Sequence, residues 1–292
     1  MSLLCYNCRG LGNDPAFVRL RGLLRGEKAE VVVLMETKLG GQEMQRVIQR
    51  LGGDYVGVGI DSIGRSAGMA ILWKEGVDVE IISSTAHHID VVVRGLFNLN
   101  EWRLTGIYGW SNNEEKWRTW QLMRDIKPLS TLPWLMIGDY NQILFEHEKK
   151  GGPPREQRLM DEFREAMNDC ELLDIGFSGN NYTWWNRRSG PAAVYERLDR
   201  ALATVSFLEA CPMIQLSHLD FDKSDHVPLK LAMFSPEKVR KGKRFRFEDM
   251  WAQSEDCEDV VRDSWAAGSS VNVGHVALSK LNFCSRKSRR ME

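Results

Sequence analysis

The sequence predicts an α/β sandwich with mixed sheets, and three observations carry that reading. Short apolar runs of the kind buried on both faces, Val31 to Leu34 and Trp134 to Ile137, alternate with stretches of helical periodicity. Between residues 54 and 108 the texture changes to closely spaced β-formers separated by Gly, Asn, Asp and Ser, as in antiparallel hairpins. With 43% hydrophobic and 27% charged residues in 292, the chain has enough apolar side chains to bury a large core. Isolated strands, hairpin strands and helices in one chain pack as layers around a mixed sheet.

Ser2 to Cys8 reads as a first strand. Asp14-Pro15 then supplies an N-cap acceptor and a proline at the first helical position, with Val18, Leu20, Leu23 and Leu24 as an imperfect apolar face and Gly26 as its end. Val31 to Leu34 is the second strand. A helix from Gln42 to Leu51 follows, with Met44, Val47, Ile48 and Leu51 on one side. The hairpin region contributes Tyr55 to Val58, Gly68 to Trp73, Val77 to Ile82, Ile89 to Val93 and Trp102 to Tyr108. Glu114 to Ile126 returns to helix with Trp117, Trp120, Leu122 and Met123 available to pack, and Arg155 to Asp169 is helical with Leu159, Phe163 and Met167 spaced by four. Tyr182 to Trp185, Tyr195 to Leu202, Ile214 to Leu219 and Val227 to Met233 complete the domain, which spans residues 1–234. Residues 235–292 read as a basic linker and a partly helical tail, with a short helix from Glu255 to Trp265.

Composition excludes several classes. The net charge is −1, so the chain as a whole is not a polycation. No run approaches the ~18 apolar residues of a membrane span, which argues against a membrane partner. Six scattered cysteines without a preceding secretion signal are expected to be reduced thiols of an intracellular protein. Cys5 and Cys8 form a C-x-x-C without a second pair, so burial is the better expectation than zinc.

The chemistry-bearing residues gather at strand ends. In Gly138-Asp139-Tyr140-Asn141 a buried strand stops and a carboxylate and a carboxamide follow, two positions apart; on a persisting strand they would point to one side. All four residue types also favour turns, and a turn is an equal reading of that stretch alone. Asn7, Glu36, Tyr108, Asp199, Asp225 and His226 occupy similar positions after or between apolar residues. Each has an ordinary structural reading. Together, two carboxylates with amide oxygens suit a hard cation such as Mg2+, and a His–Asp pair suits a phosphate. That combination is the equipment of metal-assisted phosphoester hydrolysis.

The ordered set Tyr6-Asn7-Cys8-Arg9-Gly10, Leu34-Met35-Glu36-Thr37-Lys38, Gly138-Asp139-Tyr140-Asn141, Arg197-Leu198-Asp199-Arg200 and Ser224-Asp225-His226 resembles the endonuclease/exonuclease/phosphatase superfamily. Tyr108-Gly109 and Thr183-Trp184 fit further motifs. The Asn-Cys-Arg-Gly and Glu-Arg-Leu-Asp-Arg sequences are similar to the apurinic-type endonuclease domain of plant non-LTR (LINE-type) retrotransposons. The resemblance implies a four-layered, DNase-like α/β sandwich of two mixed β-sheets flanked by helices. It implies a Mg2+-dependent endonuclease, with Mn2+ as the substitute metal, acting on DNA as a monomer in the nucleus. It implies Glu36 as principal metal ligand with Asn7 and Asp225 beside it. Asp139 would activate the attacking water, Asn141 would orient it, His226 steered by Asp199 would contact the scissile phosphate, and Tyr108 would touch the phosphate or leaving group. Abasic-site endonucleases carry an aspartate two residues after the first Asn; here that residue is Arg9, which leaves fewer negative charges for a metal. A phosphomonoesterase or lipid phosphatase, or an inactive relic that only binds nucleic acid, are the other readings of the same fold. Residues 1–234 hold 27 Lys and Arg against 31 Asp and Glu, a balance of −4. Nucleic-acid affinity would then draw on Arg9 and on the basic arm containing Lys241, Lys243 and Arg244.

Overall fold

The computed structural model describes residues 2–63, 66–96, 99–220 and 224–232. The basic arm with Lys241, Lys243 and Arg244 and the helix expected from Glu255 to Trp265 lie outside the described residues.

Two large mixed sheets face each other. The first runs β11 (Phe177–Gly179), β15 (Gln215–His218), β16 (Leu229–Ala232), β1 (Ser2–Asn7), β2 (Val31–Met35), β4 (Ser66–Lys74) and β3 (Tyr55–Ile63). The second runs β10 (Leu173–Asp174), β14 (Asp199–Ala203), β8 (Trp134–Asp139), β7 (Leu99–Tyr108), β6 (His88–Leu96) and β5 (Asp78–Thr85). A small third sheet joins β12 (Trp184–Trp185), β13 (Tyr195–Glu196) and β9 (Lys149–Lys150). β1 is parallel to β2, and β7 to β8, while the other neighbours of these four strands are antiparallel.

Side-chain alternation sorts each central strand into two cores. Leu3, Cys5, Val31, Val33 and Met35 from one sheet meet Trp102, Leu104, Leu135, Ile137, Ala201 and Ala203 from the other. The alternate residues Leu4, Tyr6, Val32 and Leu34 face outward to α1 (Asp14–Glu27) and α2 (Gly41–Arg50). Trp134, Met136 and Leu202 face the opposite way, to α3 (Lys116–Ile126) and α4 (Gln157–Asp169). The result is the four-layered sandwich that the sequence motifs imply. A fifth, short helix, α5 (Val205–Ala210), follows β14.

Some local expectations change. α1 is capped by Asn13, whose side chain accepts from Ala16 N at 2.9 Å, and not by Asp14. The helix also passes through Gly26 and ends at a left-handed Lys28, because tertiary packing of Phe17, Leu20 and Leu24 outweighs the glycine preference. Val18 and Trp117, each 54% exposed, lie off the buried faces of their helices. The extended segment expected over Tyr195 to Leu202 is two strands, β13 and β14. The break between them is held by a buried charge network.

That network is Glu148, Asp174, Arg197 and Arg200. Glu148 Oε1 accepts from Arg197 Nη1 at 2.9 Å, and Glu148 Oε2 accepts from Arg200 Nη2 at 2.8 Å. Asp174 accepts from both guanidiniums at 2.7 to 3.0 Å. The two arginines flank Asp199 and anchor its strand from behind. Burial opposes ionisation of Glu148, but the guanidiniums override it and hold its carboxyl at about 2. Glu148→Ala leaves Arg200 buried with one partner fewer, and is expected to cost about 3–5 kcal/mol in urea unfolding. Because the folded pKa is depressed, the stabilisation from Glu148 is full above the ordinary glutamate range and lost as pH falls toward 2. A change below about 1 kcal/mol would show that Asp174 alone satisfies the pair.

Candidate active site

The apolar interior between the sheets ends in a polar layer. Along β1 the inward positions run Leu3, Cys5, Asn7; along β8, Leu135, Ile137, Asp139; along β14, Ala203, Ala201, Asp199; along β7, Trp102, Leu104, Gly106, Tyr108. In the backbone register Asp139 stands opposite Asp199 on one side and Tyr108 on the other. Gly138 permits this close pairing, since a Cβ there would lie 1.9 Å from Ile107 O.

Hydrogen bonds join the layer into one centre. Asn7 Nδ2 donates to Asp139 Oδ2 at 2.9 Å and to Glu36 Oε1 at 3.1 Å. Tyr108 Oη donates to Glu36 Oε1 at 3.0 Å. His226 Nδ1 donates to Asp199 Oδ2 at 2.8 Å, and its Nε2 lies 3.8 Å from Asp139 Oδ2. Asp199 is itself held by Thr183 Oγ1, which accepts from the backbone N–H groups of Leu198 and Asp199 at 2.9 Å each. Arg9 Nη1 donates to Asp225 Oδ2, and Trp184 Nε1 donates to the same oxygen at 3.3 Å. Arg9, Glu36, Tyr108, Asn141, Asp225 and His226 line a cleft of about 590 Å3.

The loops that deliver these residues are strained. Seven described non-glycine residues have positive φ, and Arg9, Glu36, Lys38 and Asn141 of this cleft are four of them, at 50° to 56°. Left-handed backbone costs a non-glycine residue about 1–2 kcal/mol, so tertiary bonds must hold it. Cys8 N, Gly10 N and Leu11 N donate to the carbonyls of Met35, Glu36 and Thr37 at 2.7 to 3.0 Å and zip the first two loops together. Strand geometry therefore stops at Asp139. Asn141 reaches the cleft through a left-handed turn, its N–H on Asp139 Oδ1 at 2.8 Å and its Nδ2 on Gly109 O at 2.8 Å. The turn, one of the two readings of this stretch, is present, and it places Asn141 on the cleft.

Charges in the centre depend on one another. Burial raises the Asp139 pKa, to about 7, and the Asp199 carboxylate adds to the rise; His226 and hydrogen bonds from Asn141 and Asn7 oppose it. Burial alone would neutralise His226, but Asp199 and Asp139 override it and lift its pKa to about 9. Burial also disfavours the Glu36 carboxylate, yet hydrogen bonds from Asn7 and Tyr108, with His226 and Lys38, bring its pKa below the usual value. Burial and Glu36 push the Tyr108 phenol far up, so it is a hydrogen-bond donor throughout the neutral range.

Two acidic groupings could hold a cation. Asp139, Asp199 and His226 place one ligand atom each within 4.8 Å of one another. That set is closed by its own imidazole–carboxylate bond. The other grouping is Glu36, Asn7 and Asp225, whose donors are all oxygens of the kind a hard divalent ion takes. Lys38 Nζ stands 3.5 Å from Glu36 Oε2, and Asp225 Oδ1 is buried with no hydrogen-bond partner.

Sequence reasoning missed Arg155 and Arg188 on the cleft wall and Lys116 beneath it. The arginines carry no local signal. Lys116 does carry one: with Trp120 and Met123 it sits on the buried stripe of α3 at the spacing i, i+4, i+7, where a lysine is out of place.

The sequence profile of the endonuclease/exonuclease/phosphatase family matches residues 4–226. The chain belongs to this family. No curated protein sequence matches it. Among solved structures it is similar to the endonuclease domain of TRAS1, a telomere-specific non-LTR retrotransposon, with a TM-score of 0.61, 16% identity, and 80% of this chain and 97% of that one covered. It is also similar to the AP endonuclease LMAP of Leishmania major, with a TM-score of 0.63, 15% identity, and coverage of 80% and 88%. The 3′ phosphatase NExo of Neisseria, bound to a product DNA hairpin, gives 0.59 at 15% identity with coverage of 80% and 99%. At these identities the likeness shows the fold, and the fold is the one expected from the motifs. The chain is thus a phosphoester hydrolase of the endonuclease/exonuclease/phosphatase family. Among the described residues no helix is long and apolar enough to cross a membrane.

In this family member the His226 imidazole is expected to titrate near pH 9 by NMR. Asp199→Asn lets burial prevail and should lower the midpoint by about 1 to 3 pH units. The folded pKa is raised, so the stability it contributes is full below the ordinary histidine value of 6.5 and lost as pH rises through about 9. An unmoved midpoint in Asp199→Asn would show that the two groups are not linked.

Proposed function

We propose that the chain is a Mg2+-dependent endonuclease that nicks one strand of DNA, of the type carried by non-LTR retrotransposons, with Mn2+ able to replace Mg2+. The observation that carries this reading is the convergence of Glu36, Asn7, Asp139, Asn141, Asp199 and His226 on one cleft whose walls also carry Arg9, Lys38, Arg155 and Arg188. A phosphodiester needs an aligned water on one side and neutralised oxygens on the other. Four cations around an open cleft suit a substrate that continues past the scissile phosphate in both directions. The similarity to the endonuclease domain of the TRAS1 retrotransposon and to the Neisseria phosphatase bound to a product DNA hairpin supports DNA as the polymer.

Glu36, Asn7 and Asp225 would hold the metal. Bound there, Mg2+ would supply Lewis-acid stabilisation of charge on the phosphate. Asp139, with its pKa lifted to about 7, is matched to accept a proton from the attacking water near neutral pH. Asn141 spends its N–H on Asp139 and its Nδ2 on Gly109, which leaves its side-chain oxygen to orient that water. The His226 imidazolium turns Nε2 toward Asp139 and the cleft, where it would donate to a phosphate oxygen. Asp199 and Thr183 hold it in that orientation. Tyr108 keeps Glu36 in place and walls the phosphate. Lys241, Lys243 and Arg244 of the basic arm would add phosphate contacts without choosing sequence. A DNA substrate is the reason to expect action in the nucleus.

The full chain is expected to convert supercoiled plasmid to the open circle with Mg2+ and to stop when the metal is chelated. Asp139→Asn and His226→Asn should each slow nicking by about 10²–10⁴-fold. Hydrolysis of a small phosphomonoester with no nicking would replace this reading with a phosphatase. Nicking by Asp139→Asn at the wild-type rate would remove the base from the account.

A further inference from the structure

Lys116 is a buried ionisable group beneath the cleft to which neither the motifs nor the reaction assigns a task. It is the first residue of α3 and is fully buried on the stripe it shares with Thr119, Trp120 and Met123. Among the described residues it forms no ion pair. Its Nζ donates to the backbone carbonyl of Asn141. Three physical terms oppose a cation at this position. Burial is unfavourable to the ammonium, and so is nearby Arg155; Asp139 and Glu196 only partly offset them, and the pKa falls to about 8. The N-terminus of a helix also repels positive charge. A methionine would satisfy the apolar stripe without any of these penalties. What a lysine adds there is a donor under Asn141.

We propose, resting on the reading of this cleft as a phosphodiesterase centre, that Lys116 is a positioning residue that grips the Asn141 carbonyl and holds the turn presenting Asp139 and Asn141 to substrate. Asn141 has a φ of 54°, a conformation that is one of several open to Asn, and the Lys116 bond to its carbonyl selects it. Its N–H bonds Asp139 Oδ1 at 2.8 Å, so a turn that slackens also releases the base. Helical side chains point toward the helix N-terminus, and this geometry lets Lys116 reach the loop from beneath. The grip acts from behind the cleft, so it touches neither the water nor the phosphate.

The test compares wild type, Lys116→Met and Lys116→Gln as full chains, by plasmid nicking with Mg2+, thermal melting, and backbone amide exchange over residues 139–142. Lys116→Met should lose at least tenfold in kcat with KM within about threefold, since the grip shapes the reacting centre and not the outer contacts. Its Tm should be unchanged or higher. Exchange at the turn should speed at least tenfold while the central strands keep their protection. Lys116→Gln keeps a donor without the charge and should lie between the two. A kcat for Lys116→Met within twofold of wild type, or turn exchange unchanged, overturns the proposal. So does a Lys116→Met chain that melts early or fails to fold, because a cation removable at no cost to the fold is the premise. If the wild type does not nick, the function reading fails, and the exchange comparison still decides the role of Lys116.

Discussion

The whole site depends on the register between β8 and its two neighbours. Side chains on a strand alternate with a period of two, and the inward set of β8 is Leu135, Ile137 and then Asp139. A slip of one residue against β14 or β7 would turn Asp139 toward the α3–α4 layer and separate it from Asp199 and Tyr108. The apolar core that stabilises the fold is therefore the same device that aims the carboxylates. The tight contact at Gly138 and the arginine network behind β14 both serve to keep that register.

Placing Asp139, Asp199 and His226 at the end of a dry core has an electrostatic cost, and the arrangement of partners determines what it yields. Burial and the Asp199 carboxylate raise the proton affinity of Asp139, while the His226 imidazolium lowers it. Asp199 is drawn into a fixed pair with His226 and Thr183, and Asp139 is left as the group that titrates near neutrality. Glu36 goes the other way. Donors from Asn7 and Tyr108 keep it ionised although it is mostly buried. In the proposed reaction these neighbouring carboxylates would take two roles, one as proton acceptor and one as a negative charge suited to a hard cation.

The layered architecture was legible in the sequence because its central strands are apolar on both faces and its helices carry apolar residues at helical spacing, although Val18 and Trp117 fall outside the buried stripes. Asn7, Glu36, Tyr108, Asp139, Asp199 and His226 were legible as polar residues that end apolar runs, and the structure brings them together. Asp225 was legible too, but its pairing with Arg9 was not, since 216 positions separate them. The left-handed turn at Asn141 was one of two readings of its stretch, whereas those at Arg9, Glu36 and Lys38 could not be read, because none of these three residues prefers that conformation and tertiary bonds hold the loops there. The short strands β9 to β11 have too few residues to show a period. Lys116 was overlooked although its spacing on α3 gave it away, because a tryptophan beside it, Trp117, drew the apolar face one position off.

In the proposed reaction, hard oxygens on the Glu36 side of the cleft would take the metal, while Asp139, Asp199 and His226 would move the proton. Anomalous diffraction from crystals of the full chain soaked in Mn2+ tests it directly. The expected result is a peak about 2 Å from a Glu36 carboxylate oxygen, the distance of a hard-cation ligand, with the His226–Asp199 hydrogen bond intact. A peak coordinated jointly by Asp139, Asp199 and His226, with that bond broken, or no peak in the cleft, would contradict it.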